Sequence, residues 1–155
     1  MIWEELKLPL ILTDLDAKTS DDVFEQFGQC FINEGLAKPT YVQGLKEREV
    51  EAPTGLDIDG FGIAIPHTPV VHVNADATGI ALLKNPVTFT QMGTDDETCE
   101  ARIIFMLCVA NPDAHMDKLQ RIFAMIADKA FLQKLTECTT KEEIIDCVKE
   151  KESTL

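Results

Sequence analysis

Apolar positions along the chain alternate between helical and strand spacing. The run "PLILTDLD" is short, apolar and closed by turn formers, which predicts a strand around residues 9–13. In "TSDDVFEQFGQCFINEG" the spacing becomes helical, with Val23, Phe24, Phe27 and Phe31 on one face. Thr19 or Ser20 can cap that helix, Asp21 and Asp22 complement its N-terminal dipole, and Gly35 ends it. A second helix is expected over "PTYVQGLKEREVEAP", capped by Thr40 and stopped before Pro53.

The middle of the chain reads differently. "GIAIP", "TGIALL" and "RIIFMLCVA" are apolar runs bounded by Gly, Pro and Asp, and they predict buried strands. Residues 91–101, "QMGTDDETCEA", form an acidic loop between the last two. Helical spacing then returns. "NPDAHMDKLQRIFAMIADKA" puts Met116, Leu119, Ile122, Phe123 and Ile126 on one stripe, with Asn111 as N-cap and Pro112 at the first helical position. "AFLQKLTEC" continues as a short helix. "TTKEEIIDCVKE" carries two overlapping capping boxes, Thr139 with Glu142 and Thr140 with Glu143. Helices, then strands, then helices can cover both faces of a sheet, so an α/β three-layer domain is expected. No internal repeat or Gly/Ser-rich linker divides it. Residues 1–155 are expected to form a single domain with an ordered core over about 8–150, and "KEKESTL" a frayed tail.

Composition narrows the function classes. Hydrophobic residues make up 45% and charged residues 26%, as in a globular chain able to bury a core without staples. The formal charge of −13 argues against nucleic acid, which needs a basic footprint. No apolar run approaches a membrane span, so no direct membrane insertion is expected, and the N-terminus lacks the basic region of a signal peptide. The five cysteines show no CxxC spacing and read as reduced thiols of a cytoplasmic protein. Cys99, among acidic residues, would have a raised pKa rather than an activated thiolate.

The candidate chemistry centres on "GFGIAIPHTPVVHV". It places His67 just beyond a buried strand, at the edge where open α/β sheets put their sites, between two prolines that restrict their neighbours to extended geometry. A nucleophilic histidine needs one ring nitrogen free and the other held by an acceptor. A phosphoryl group would also need donors for its oxygens. Arg48, near the end of the second helix, His115, in the first turn of the "NPDAHMDKLQ" helix, and His72 are candidates to supply them. Spacing alone does not bring these residues together. A metal site is the competing reading for three histidines, but there is no HExxH and no clustered Cys/His pattern. A GxSxG elbow and a P-loop are also missing.

Taken together, "REVEAPTGL", "GIAIPH", "VVH" and "NPDAHMDKL" resemble the enzyme IIA domains of the bacterial sugar phosphotransferase system, fructose–mannitol type, nearest the galactitol-type subgroup. The resemblance runs over roughly residues 8–150. It implies a mixed β-sheet flanked by helices on both faces and no metal or organic cofactor. It implies a phosphocarrier in which His67 accepts a phosphoryl group from the histidine-containing phosphocarrier protein and passes it to a cysteine of enzyme IIB. Arg48 matches the family's active-site arginine. His115 matches the second active-site histidine of mannitol-type members, and His72 the histidine that galactitol-type members place after the nucleophile. Which of the two assists stays open. Thr68 and Pro69 stand where many relatives have Gly or another small residue. The alternative is a free-standing regulatory domain whose phosphohistidine signals sugar availability to a partner.

Overall fold

A computed structural model describes residues 1–155. Five strands form one mixed sheet: β1 (Ile11–Leu15), β2 (Gly55–Ile58), β3 (Phe61–Ala64), β4 (Ala77–Thr90) and β5 (Thr98–Cys108), in the spatial order β1-β4-β5-β3-β2. β1 runs parallel to β4 and β3 parallel to β5, while the β4–β5 and β2–β3 pairs are antiparallel. Side chains alternate across a strand, so a sheet covered on both faces needs apolar residues at every position. β5 meets this demand. Ile103, Phe105 and Leu107 join one core cluster, and Ile104, Met106 and Cys108 join the other.

On one face lie α2 (Ser20–Val23), a π-helical turn (Phe24–Gly28), α3 (Gln29–Asn33) and α4 (Tyr41–Glu51). Thr19 accepts from the Asp22 N–H as N-cap, Phe24, Phe27 and Phe31 are fully buried, and Gly35 turns the chain at φ +74°. The other face is covered by α1 (Ile2–Glu5), α5 (Pro112–Ile126), α6 (Lys129–Glu137) and α7 (Lys141–Glu152). Asn111 caps α5 and Thr140 caps α7, as their sequences predict. No helix is long and apolar enough to cross a membrane.

Several expectations need correction. The first strand begins at Ile11, because Leu8–Leu10 form a 3-10 turn around Pro9, which has no N–H to give a ladder. The sequence pattern left out β2 altogether. β4 continues past "TGIALL" to Thr90 through an exposed irregularity at residues 84–86, and β5 starts within the expected acidic loop. Cys99 therefore lies in a strand, and burial, with Asp57 and Glu100 adding to it, pushes its thiol up to about 11. Met116 is 59% exposed, and the buried face of α5 runs through Ile122, Met125 and Ile126. The C-terminal residues do not fray at Glu152. Its side chain is fully buried and its carboxylate accepts from the N–H groups of Ile2 (3.0 Å) and Trp3 (2.7 Å). Those first-turn amides have no partner within α1, which is why a carboxylate is held there.

Candidate functional site

The strand β3 delivers His67 to the site. Beyond Ala64 the chain stays held on both sides: the Ile65 N–H donates to Thr54 O (3.2 Å), and Pro66 O accepts from the Leu107 N–H (3.0 Å). Ile65 and Pro66 are buried and His67 is half-buried. Nδ1 of His67 lies 3.0 Å from Ile65 O. A carbonyl only accepts, so Nδ1 carries the proton and Nε2 keeps its lone pair.

A cleft of about 250 Å³ opens beside this ring. His67, Thr68 and Pro69 form one side, Pro112 and His115 of α5 another, and Arg48 of α4 a third. The His67 and His115 ring centroids are 5.2 Å apart, with the planes tilted by 50°. Burial lowers the pKa of His67 and outweighs the opposing bond to Ile65, with smaller lowering contributions from His115 and Arg48. Burial also lowers His115, aided by the charges of Arg48 and Lys118. Both rings are thus biased toward the neutral form that a nucleophile requires. The Arg48 Nε is buried and has no hydrogen-bond partner. An unsatisfied buried donor costs roughly 1–3 kcal/mol, and an anion in the cleft would relieve it. The cleft combines a lone pair, a guanidinium and a second imidazole, which suits it to receive a phosphoryl group.

His72 takes a different position. It ends a 3-10 turn (Val70–His72), its Nδ1 is 2.8 Å from Thr40 Oγ1, and its ring lies against Gly44. A Cβ at Gly44 would come within 2.6 Å of the ring's Cδ2. Thr40, expected to cap α4 with its side chain, uses its hydroxyl on His72 instead. His115, not His72, lines the cleft with His67. His72 touches α4 one turn before Arg48. The sequence pattern did not reveal that Thr68 belongs to the cleft. It is 7% exposed, and its hydroxyl donates to Pro69 O at 3.0 Å. Its one sequence signal was a polar residue between the nucleophile and a proline.

The chain is similar to known proteins over most of its length. The chain is 28% identical over 114 residues to the galactitol-specific EIIA component of Escherichia coli (strain K12), covering 74% of this chain and 75% of the relative. It is 25% identical over 148 residues to the probable licABCH operon regulator of Bacillus subtilis (strain 168), covering 94% of this chain but 22% of the regulator. Its fold is similar to that of enzyme IIAMTL in the complex with phosphorylated enzyme IIBMTL from Escherichia coli. That match has a TM-score of 0.77 at 21% identity and covers 94% of this chain and 99% of the other. Residues 5–151 match the family described as "Phosphoenolpyruvate-dependent sugar phosphotransferase system, EIIA 2". With nearly its whole length matched and a histidine-centred cleft at the edge of its sheet, the chain belongs to this enzyme IIA family.

Proposed function

We propose that the chain is a phosphocarrier working through Nε2 of His67. The observation that carries this reading is the ring itself: Nδ1–H is committed to Ile65 O, and the ring faces a cleft lined by His115 and by Arg48, whose buried Nε lacks an acceptor. The donor is the phosphohistidine of the histidine-containing phosphocarrier protein. Its N–P bond breaks as the Nε2–P bond forms, and the electron pair returns to the donor imidazole. In the second half-reaction a cysteine thiolate of enzyme IIB attacks the phosphorus, the S–P bond forms, and His67 recovers its lone pair. Arg48 and His115 offset charge on the equatorial oxygens during both in-line steps. The similar enzyme IIA solved with a phosphorylated enzyme IIB supports the acceptor, and the galactitol-specific relative supports a galactitol-like sugar alcohol.

The test is phosphorylation by phosphoenolpyruvate and the general carrier proteins, then transfer to a panel of enzyme IIB proteins. Wild-type protein should take up one phosphoryl group and pass it preferentially to a galactitol-type acceptor. His67→Ala should take up none. Wild-type stoichiometry in that variant would overturn the assignment. The similarity to an operon regulator favours a second reading, in which the phosphohistidine signals to a protein partner. A protein that is phosphorylated yet passes the group to no enzyme IIB would favour it.

A further inference from the structure

We propose that Glu49 and Thr54 are positioning residues, a latch that fixes the His67 imidazole and the Arg48 guanidinium relative to one another. The inference rests on the phosphocarrier reading, and it concerns a pair of residues lying outside the cleft lining. Glu49 directly follows Arg48 in the last turn of α4. The helix ends there, with Arg48 O accepting from the Ala52 N–H at 2.7 Å. The Glu49 carboxylate then reaches over the turn. Oε1 accepts from the Thr54 N–H at 2.9 Å, and the Thr54 hydroxyl sits 3.1 Å from Oε1 and 3.0 Å from Oε2. Thr54 is 2% exposed.

Thr54 passes the constraint on. Its carbonyl accepts from the Ile65 N–H at 3.2 Å, and the Ile65 carbonyl accepts from His67 Nδ1–H at 3.0 Å. A continuous path of hydrogen bonds therefore runs from the residue beside Arg48 to the nitrogen that sets the tautomer of the nucleophile. Pro53 has no N–H, so the turn cannot hold itself by a backbone bond at that residue. The side chain of Glu49 supplies the closure.

The choice of residue fits this role. No lysine or arginine pairs with Glu49, and burial raises its carboxyl above the usual range. An unpaired acid in such a place is costly unless its acceptors are used, and here both oxygens are used on one residue. A group-transfer site is sensitive to placement. Displacement of about 1 Å can cost on the order of a hundredfold in rate.

The experiment compares Glu49→Ala, Glu49→Gln and Thr54→Val with wild type, by two readouts. One is the kinetics of phosphorylation over a range of phosphorylated carrier protein. The other is the long-range 1H–15N spectrum of the His67 ring, which reads the tautomer without any donor. Glu49→Ala should lower kcat by about tenfold or more with KM for the carrier unchanged, and should move the ring from Nδ1–H toward a mixture of tautomers. Glu49→Gln keeps a carbonyl acceptor for the Thr54 N–H and should recover most of the rate. A folded Glu49→Ala with wild-type kcat and an unmoved tautomer overturns the proposal. So does a rate loss that only tracks the folded fraction while the tautomer stays in place. If Glu49→Ala does not fold, Thr54→Val, which keeps the backbone bond and loses the hydroxyl, is judged by the same criteria. Absence of phosphorylation in wild type would sink the phosphocarrier reading instead, and the tautomer readout would still decide the latch.

Discussion

Arg48 is the residue whose setting departs furthest from a solvated helix charge. It stands between Glu47 and Glu49, yet it pairs with neither, and its buried Nε has no acceptor. In the proposed relay the guanidinium, with its unmet Nε donor, stabilises the transferring phosphoryl group. Arg48→Ala should slow phosphorylation by about a hundredfold, as expected for a preorganised donor to developing charge, without unfolding the chain. Arg48→Lys should recover little, because an ammonium cannot reproduce the planar fork. Rapid-quench kinetics with thermal melts would check both, and wild-type rates in Arg48→Ala would remove it from the site. At this scale the sequence named His67, Arg48, His115 and His72 but could not rank the two assisting histidines. Five residues separate His72 from His67, and a spacing does not tell where a ring points. The 3-10 turn from Val70 to His72 carries that ring onto Thr40 and Gly44, whereas α5 brings His115 back from far along the chain.

Among the elements, α4 carries the most constraints. Tyr41 OH at its start donates to Leu107 O (2.6 Å), His72 packs at Gly44, and Glu49 closes onto Thr54 at its end. Gly44→Ala sets two effects against each other. Helix propensity would stabilise by about 1 kcal/mol. The added Cβ, 2.6 Å from a ring tethered by Thr40, brings an overpacking cost of about 1–3 kcal/mol. Net destabilisation is expected in urea unfolding, and adding His72→Ala should convert Gly44→Ala into a stabilising change. Gly44→Ala that stabilises by itself would show that the ring is not held there. The helices α5 and α7 were readable from their caps, Asn111 with Pro112 and Thr140 with Glu143, although the apolar stripe read for α5 included the exposed Met116 and left out the buried Met125. The β2–β3 hairpin has a local signal of its own. Asp59 (φ 51°) and Gly60 (φ 86°) form a turn with both central residues left-handed, for which Asp-Gly is a strong signal. The strand before that turn is what hides it: "GLDI" is four residues long and only Gly55 in it is buried, too little to show an apolar run or an alternation. The far half of β4 was hidden differently, since Lys84, Asn85 and Pro86 break the alternation before Val87 and Phe89 resume it.

For the whole molecule, the sheet with its two core clusters is a rigid mount that leaves the cleft at one edge. That architecture was legible in the order of elements. The closure of the N-terminal helix onto Glu152 was not, because nothing local links residues 150 positions apart. The half-buried histidines also give stability a pH dependence. Burial lowers both His67 and His115, so below about pH 6.5 the unfolded chain binds protons that the folded chain resists. Their contribution is complete above that pH and is lost as pH falls through the lowered folded values. The raised carboxyl of Glu49 acts with the opposite sign, its contribution fading as pH rises. The comparison of wild type with a His67→Gln/His115→Gln double variant isolates the histidines. Wild type should lose more stability than the variant between pH 7.5 and 5.5 in denaturant titrations, and equal losses would contradict the burial of these rings.

The phosphoryl relay itself is tested most directly by locating the phosphoryl group on the intact protein. Protein phosphorylated by phosphoenolpyruvate and the general carrier proteins, kept alkaline and measured by 31P and 1H–15N NMR, should carry a single group on Nε2 of His67, with Nδ1–H still bonded to Ile65 O. A group on His115, on His72 or on Nδ1 of His67, or no group at all, would contradict it.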